Sequence, residues 1–201
     1  MFLSNIVLKA KEYVKLFLVD IDEKHWYYYH NLGHTLDVFE RVSYLSGKEW
    51  LNEELIELIQ IAALFHDTWF KKQYDKNEII WAQIAEEFLK ENNFPEDKID
   101  IIKNLILATI LNKEPMSHLE EMIKDADMDN LWREDFFDKN ENIYKELKIV
   151  KKIDMYKKTW LENSLELLSN YKFYTETEIQ ERSEQFLKNK KELENKLKNY
   201  S

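Results

Sequence analysis

Tyr29-His30-Asn31-Leu32-Gly33-His34-Thr35-Leu36-Asp37-Val38 is the stretch around which the rest of the chain is organised. Two histidines four residues apart lie about 40° apart around an α-helix, so a helical reading points both from one face. Leu36, Val38, Phe39 and the aromatic run Trp26 to Tyr29 surround them, which predicts that the face is at least partly buried. A buried imidazole pair needs partners for several ring nitrogens, and a metal ion is an economical partner. Downstream, His66-Asp67 ends the apolar run Ile61-Ala62-Ala63-Leu64-Phe65, and Asp127 sits inside Asp125-Ala126-Asp127-Met128. Together these residues read as a His / His-Asp / Asp metal site.

Composition agrees with a helical protein. The chain has 201 residues, of which only 2 are glycine and 2 proline, while Leu, Ile, Glu and Lys dominate. Few breakers and many helix formers predict an all-α fold, and the length suits a single domain. Aromatic residues make up 14% of the chain and supply bulky core material. Cysteine is absent, which excludes disulfides and thiolate metal sites and fits a reducing, cytoplasmic setting.

The net charge is −10, from 29 Lys+Arg against 39 Asp+Glu. An acidic surface repels phosphate backbones, so long nucleic acid is not an expected partner. A small anionic substrate is still allowed, because a bound cation inverts the local field. No apolar run approaches the roughly 18 residues of a spanning helix, so no membrane association is expected. Residues 1 to 19 are apolar but interrupted by Lys9, Lys11, Glu12 and Lys15, and read as an amphipathic first helix rather than a secretory signal.

Periodicity places about eight helices. The first runs from about Ser4 to Val19, with Ile6, Val7, Ala10, Val14, Phe17 and Leu18 on its inner face, followed by an irregular segment over 20–29. Asn31 caps a second helix that ends near Ser46-Gly47, and a third starts after Asn52 with Glu53 and Glu54 in its first turn. A helix from Glu78 to about Glu91 follows a polar loop. Pro95 opens another reaching Leu111, and His118 to Asp127 forms a short one. Asp138 to Leu168 gives one long or broken helix, and Thr175 to Tyr200 a charged last one. The stripes Trp81/Ala85/Phe88 and Ile101/Leu105/Ala108 read as core.

The order His34, His66-Asp67, Asp127 resembles the HD superfamily of metal-dependent phosphohydrolases, helical proteins in which those residue types, from separate helices, hold a divalent metal. "ALFHDTW" is similar to that family's apolar helix ending in His-Asp, and "DADM" to its distal aspartate. "YHNLGHTLDV" also resembles the YHNxxH motif of cyclic-nucleotide phosphodiesterases. The wider pattern resembles small, stand-alone bacterial HD proteins, including the Asn77-Glu78 pair and a late Tyr-x-Thr-like segment, here Tyr174-Thr175-Glu176 without the spacer. The resemblance implies a single HD-type helical bundle and one divalent metal (Mn, Fe, Zn, Co, Ni or Mg) held by His34, His66, Asp67 and Asp127. Two-metal relatives carry extra histidines between the His-Asp pair and the last aspartate. Here only His118 intervenes, and Asn112 stands where such a histidine tends to be.

The implied chemistry is cleavage of a phosphoester by a metal-activated water. The substrate would be small, phosphorylated and nucleotide-like. His30 would protonate the leaving oxygen, Asp67 or Asp127 would take the water's proton, and Glu78 would orient water. Lys71, Lys72 and Asn31 would hold substrate. Relatives that act on guanosine tetraphosphate carry an acidic pair just after His-Asp, where this chain has Thr68-Trp69-Phe70, so that substrate ranks lower.

Plainer readings compete. His30 could instead hydrogen-bond Asp37 or a backbone carbonyl, and Lys71 and Lys72 could be a solvated pair. His25 and His118 sit in charged surroundings and read as surface. Asp125 and Asp127 lie roughly 200° apart around a helix, so only one can face a common site, and the resemblance picks Asp127. Asp125-x-Asp127-x-Asp129 fails as a calcium loop, with Asn130 at the glycine position and Phe136 at the bidentate glutamate. The alternatives to an enzyme are a nucleotide- or metal-sensing domain acting through a protein partner, and a helical protein stapled by metal. A homo-oligomer stays open.

Overall fold

A computed structural model describes residues 3–25, 27–67 and 77–200, and among these the regular structure is entirely helical. The helices are α1 (Asn5–His25), α2 (Leu32–Lys48), α3 (Glu53–Phe65), α4 (Asn77–Glu91), α5 (Glu96–Ala108), α6 (His118–Asp127), α7 (Phe136–Ile149), α8 (Lys157–Asn170) and α9 (Glu176–Lys198). A 3-10 helix, Met128–Trp132, continues directly from α6. No helix among the described residues is long and apolar enough to cross a membrane.

Side-chain caps set four of the helix starts. Asn31, Asn52, Ser117 and Thr175 each place a side-chain oxygen on a backbone N–H in the first turn of α2, α3, α6 and α9. Two helix ends differ by several residues from the sequence reading. Helix α1 continues to His25 because nothing in residues 20–25 breaks it. Helix α5 stops at Ala108 rather than Leu111, because Lys124 takes over its end. The Nζ of Lys124 donates to the carbonyls of Ala108 (3.3 Å), Ile110 (2.7 Å) and Leu111 (3.1 Å). The segment over 138–168, expected as one long or broken helix, is the broken one: α7 and α8 are separated where Lys152 adopts a positive φ of 54°.

That break sends α8 back along α7. Tyr144 meets Trp160, and Asn140 meets Ser164, a pairing in which residue numbers rise on one helix as they fall on the other. The two helices are therefore antiparallel.

One apolar cluster joins α1 to α6, centred on the fully buried Ile59, Ile61, Leu64, Phe65 and Trp81. The inner face of α1 is the expected one, as is the Trp81/Ala85/Phe88 stripe. On α5 the stripe runs through Ile99, Ile102 and Leu105, leaving Ile101 exposed; Ile101 lies about 100° from Ile102 and turns outward. A second cluster, Leu131, Trp132, Phe136, Leu161, Leu168 and Leu193, joins the 3-10 helix to α7, α8 and α9. Between the two lies a buried ionic junction: Arg41 on α2 pairs with Glu178 on α9 (2.5 Å) and Asp129 (3.7 Å), and Arg182 pairs with Asp129 (3.1 Å).

Candidate metal centre

The site lies where the ends of three helices meet. His66 follows the last residue of α3, the helix that is apolar on all sides from Ile61 to Phe65. Its Nδ1 lies 2.8 Å from the carbonyl of Ala63, the geometry of an N–H donor, which turns Nε2 and its lone pair toward the centre. His34 sits in the first turn of α2, where its backbone N–H donates to Asn31 Oδ1 at 3.2 Å. Gly33 leaves room for that cap, since a Cβ there would come within 3.0 Å of the same oxygen. Asp127 is the last residue of α6.

These three side chains converge. His34 Nε2 is 3.2 Å and His66 Nε2 3.3 Å from Asp127 Oδ1, and the two Nε2 atoms are 3.3 Å apart. Asp67 stands beside them, its Oδ2 3.8 Å from His34 Nε2. Donor atoms about 3 Å from one another suit a cation bound at about 2.1 Å to each. The chemistry of the set also calls for one, since buried imidazole lone pairs and carboxylates that converge without a proton or cation repel. His34, His66 and Asp127 therefore form a group that could hold a metal, and imidazole plus carboxylate suits first-row divalent ions without selecting one.

The electrostatics of the protein groups follow their burial. Burial lowers the His34 imidazole, outweighing Asp127. At His66 the same burial is outweighed by Asp127, which raises it. Burial raises Asp67, whereas Asp127 is held far below the usual carboxylate range because His66 and His34 outweigh its burial.

His30 is built differently from the sequence expectation. Helix α2 begins after Asn31, so His30 precedes it and does not share a helical face with His34. A turn brings the two rings together, 6.0 Å between centroids and edge to face. The His30 Nδ1 meets Glu146 of α7, and its Nε2 lies 3.7 Å from Asp67 Oδ2. Burial alone would lower this imidazole, but Asp67 and Glu146 outweigh it and push it up to about 9. The expected rival partner, Asp37, is occupied elsewhere, by Lys139 (2.9 Å) and Arg133 (3.1 Å).

A cavity of about 470 Å³ opens from the centre. His30, His34, His66, Asp67, Asp127 and Glu78 line it, together with residues of α7 and α8. Asn31 does not: its Oδ1 caps α2 and its amide N–H₂ donates to the carbonyls of Tyr27 and Tyr28, both at 3.2 Å. Lys71, Lys72 and Thr68-Trp69-Phe70 lie outside the described residues. His118 is exposed and pairs with Glu121 (3.0 Å) and Glu49 (3.5 Å). Asn112 lies outside this cavity, in a neighbouring one.

Two residues were missed in the sequence. Glu146 is fully buried, and its only sequence signal is that it continues the spacing Phe136, Asn140, Ile143 along the inner face of α7. Asp125 was set aside as the carboxylate facing away from the metal, and it has a task of its own. It accepts the backbone N–H groups of Tyr174 (3.0 Å) and Thr175 (2.8 Å), the Thr175 hydroxyl (3.0 Å) and the Tyr171 hydroxyl (3.2 Å). The late Tyr174-Thr175 segment is thus tied to the helix that delivers Asp127.

A family model for the HD domain matches residues 31–158, well over half of the chain. The chain belongs to the HD family. All four metal-ligand candidates and Glu146 fall within the matched stretch of this HD protein, and His30 lies one residue before it. Membership places the protein in a superfamily of metal-dependent phosphohydrolases. No curated protein and no solved structure matches the chain.

Proposed function

We propose that this HD protein is a cytoplasmic enzyme that hydrolyses a phosphoester bond in a small, nucleotide-like substrate. The observation that carries the reading is the convergence of His34, His66 and Asp127, with Asp67 beside them, at one end of a ligand-sized cavity that also contains His30. Bound at His34, His66, Asp67 and Asp127, one divalent cation would lower the pKa of water and neutralise phosphoryl charge.

The chain's own groups supply the proton transfers. Asp67, or Asp127, takes the proton of the attacking water. His30 gives a proton to the leaving oxygen from Nε2, because its Nδ1 is engaged by Glu146. Glu78, at the start of α4, lines the cavity where it can orient water. Lys71 and Lys72 follow Asp67 closely in sequence and would meet substrate phosphate.

His30→Ala tests the enzyme reading. Turnover should fall at least about 100-fold, the usual contribution of a general acid, while metal stoichiometry stays as in the wild type and the variant still unfolds cooperatively, at a lower temperature because buried Glu146 loses its partner. The second reading, a nucleotide sensor acting through a partner, is favoured by intact metal and nucleotide binding with no turnover in the wild type. Intact ligands support the enzyme, since a pure binding module need not keep all four.

A further inference from the structure

The tip of the α7–α8 hairpin differs in charge from the rest of the chain. Residues 144–160, from Tyr144 to the Trp160 it stacks on, hold six lysines and two acids, in a chain whose net charge is −10. One of the acids, Glu146, is buried against His30, so Asp154 is the single exposed acid of the tip. Lys145, Lys148, Lys152 and Lys158 are exposed, and none pairs with a carboxylate among the described residues. Large apolar side chains stand between them in the open: Ile149 is 49%, Ile153 37% and Tyr156 86% exposed.

The tip is held in shape. The Tyr144 hydroxyl donates to the carbonyl of Met155 at 2.8 Å, and the backbone N–H of Ile153 donates to the carbonyl of Leu147 at 3.2 Å. Lys157 and Lys148 lie over the Tyr144 ring, 4.2 Å and 5.5 Å from its centroid. Lys152 turns the chain at a φ of 54°, a left-handed conformation that is unfavourable for a residue with a Cβ. The result is a small, ordered surface on which lysines and apolar side chains interleave. Exposed apolar groups rimmed by charge mark an interaction site.

We infer that this tip is a docking surface for an anionic lipid bilayer, on which the chain rests as a peripheral protein. The lysines reach anionic headgroups, while Ile149, Ile153 and Tyr156 enter the boundary between headgroups and acyl chains, where apolar bodies with polar neighbours are favoured. Charge complementarity selects this occupant. A second copy docked tip to tip would oppose lysines to lysines, and a nucleic acid would match the lysines but leave the isoleucines in water. The acidic remainder of the chain does not prevent the contact, because charges more than about 10 Å from the bilayer are screened at ordinary ionic strength. No described helix is long and apolar enough to cross a membrane, and resting on a surface needs none. Ile143 and Trp160, at the base of the tip, line the cavity of the metal centre, so the docked surface and that site share one hairpin. Docking needs no particular reaction at that centre.

The test is sedimentation of the full chain with vesicles of phosphatidylcholine alone and of phosphatidylcholine mixed with phosphatidylserine. The chain should pellet with the mixed vesicles and stay in solution with the neutral ones. Raising the ionic strength from about 0.1 M to about 1 M, which shortens the Debye length from about 10 Å to about 3 Å, should release it. The double variant Lys145→Gln/Lys158→Gln should partition about 25-fold more weakly, about fivefold for each lysine. Tyr156→Ser keeps the charge and should weaken partitioning about fivefold through lost apolar burial. All three positions are exposed; unfolding curves identify a variant that has lost its fold, and the other variant then decides. No sedimentation with the mixed vesicles overturns the proposal, as does equal sedimentation with both kinds or unchanged partitioning of a folded variant. A chain that binds a single-stranded oligonucleotide and ignores the mixed vesicles also overturns it, in favour of nucleic acid.

Discussion

Glu146 grips His30 from two sides: one carboxylate oxygen meets the imidazole Nδ1, and the other accepts the backbone N–H groups of Tyr29 at 2.9 Å and His30 at 3.1 Å. The pair joins α7 to the turn before α2 and fixes which ring nitrogen faces Asp67. Burial would raise the Glu146 carboxyl, but the charge and hydrogen bonds of His30 outweigh it and hold the group below the usual carboxylate range. Glu146 is therefore a positioning residue for His30.

Replacing it separates orientation from metal binding. Glu146→Gln keeps an acceptor for the two backbone N–H groups but removes the charge facing the ring. Turnover should fall about 100-fold, comparable with loss of the acid itself, and metal stoichiometry should be unchanged. Steady-state kinetics with metal analysis of the purified variant checks this, and wild-type kcat in a folded variant would remove Glu146 from the account.

Asp125 makes a stability prediction. Its carboxylate satisfies two backbone N–H groups and two hydroxyls, and burial pushes it up to about 6 against those hydrogen bonds. Asp125→Ala leaves the N–H groups of Tyr174 and Thr175 without partners, at a cost of about 3 kcal/mol. Denaturant unfolding should show this as a lower midpoint, with Asp125→Asn falling between the two. A loss well under 1 kcal/mol for the alanine variant would mean that water replaces the carboxylate readily.

Glu178 makes a prediction about pH. Burial pushes this carboxyl up from 4.5 to about 7, outweighing Arg41. Its proton is bound more tightly in the folded chain than in the unfolded one. The stability it contributes is complete below about 4.5 and lost as pH rises through about 7. The melting temperature of the wild type should decline across that window, and Glu178→Gln, which resembles the protonated form, should flatten the decline. Parallel slopes for the two proteins would show that Glu178 is ionised throughout.

The helices were legible because local signals marked them. Asn31, Asn52, Ser117 and Thr175 precede first turns, and the apolar spacing of α1 and α4 matches their buried faces. Non-local effects decided the rest. The end of α5 depends on Lys124, a residue 13 positions beyond Leu111 that caps it through space. The convergence of His34, His66 and Asp127 could be read because metal-ligating residue types at the ends of apolar helices are unusual. Glu146 could not, since a glutamate in a helix rich in Lys and Glu looks solvated, and its partner His30 is 116 residues away. The position of His30 was misread for a local reason: Asn31 takes the cap, which leaves His30 outside the helix.

The most direct test of the central claim is product formation from a panel of nucleotides by metal-stripped protein resupplied with each of Mn, Fe, Co, Ni, Zn and Mg, with Asp127→Ala run alongside. Turnover of one substrate class is expected to require added metal and to be lost in Asp127→Ala together with metal binding. A wild-type protein that binds none of these metals would contradict the claim.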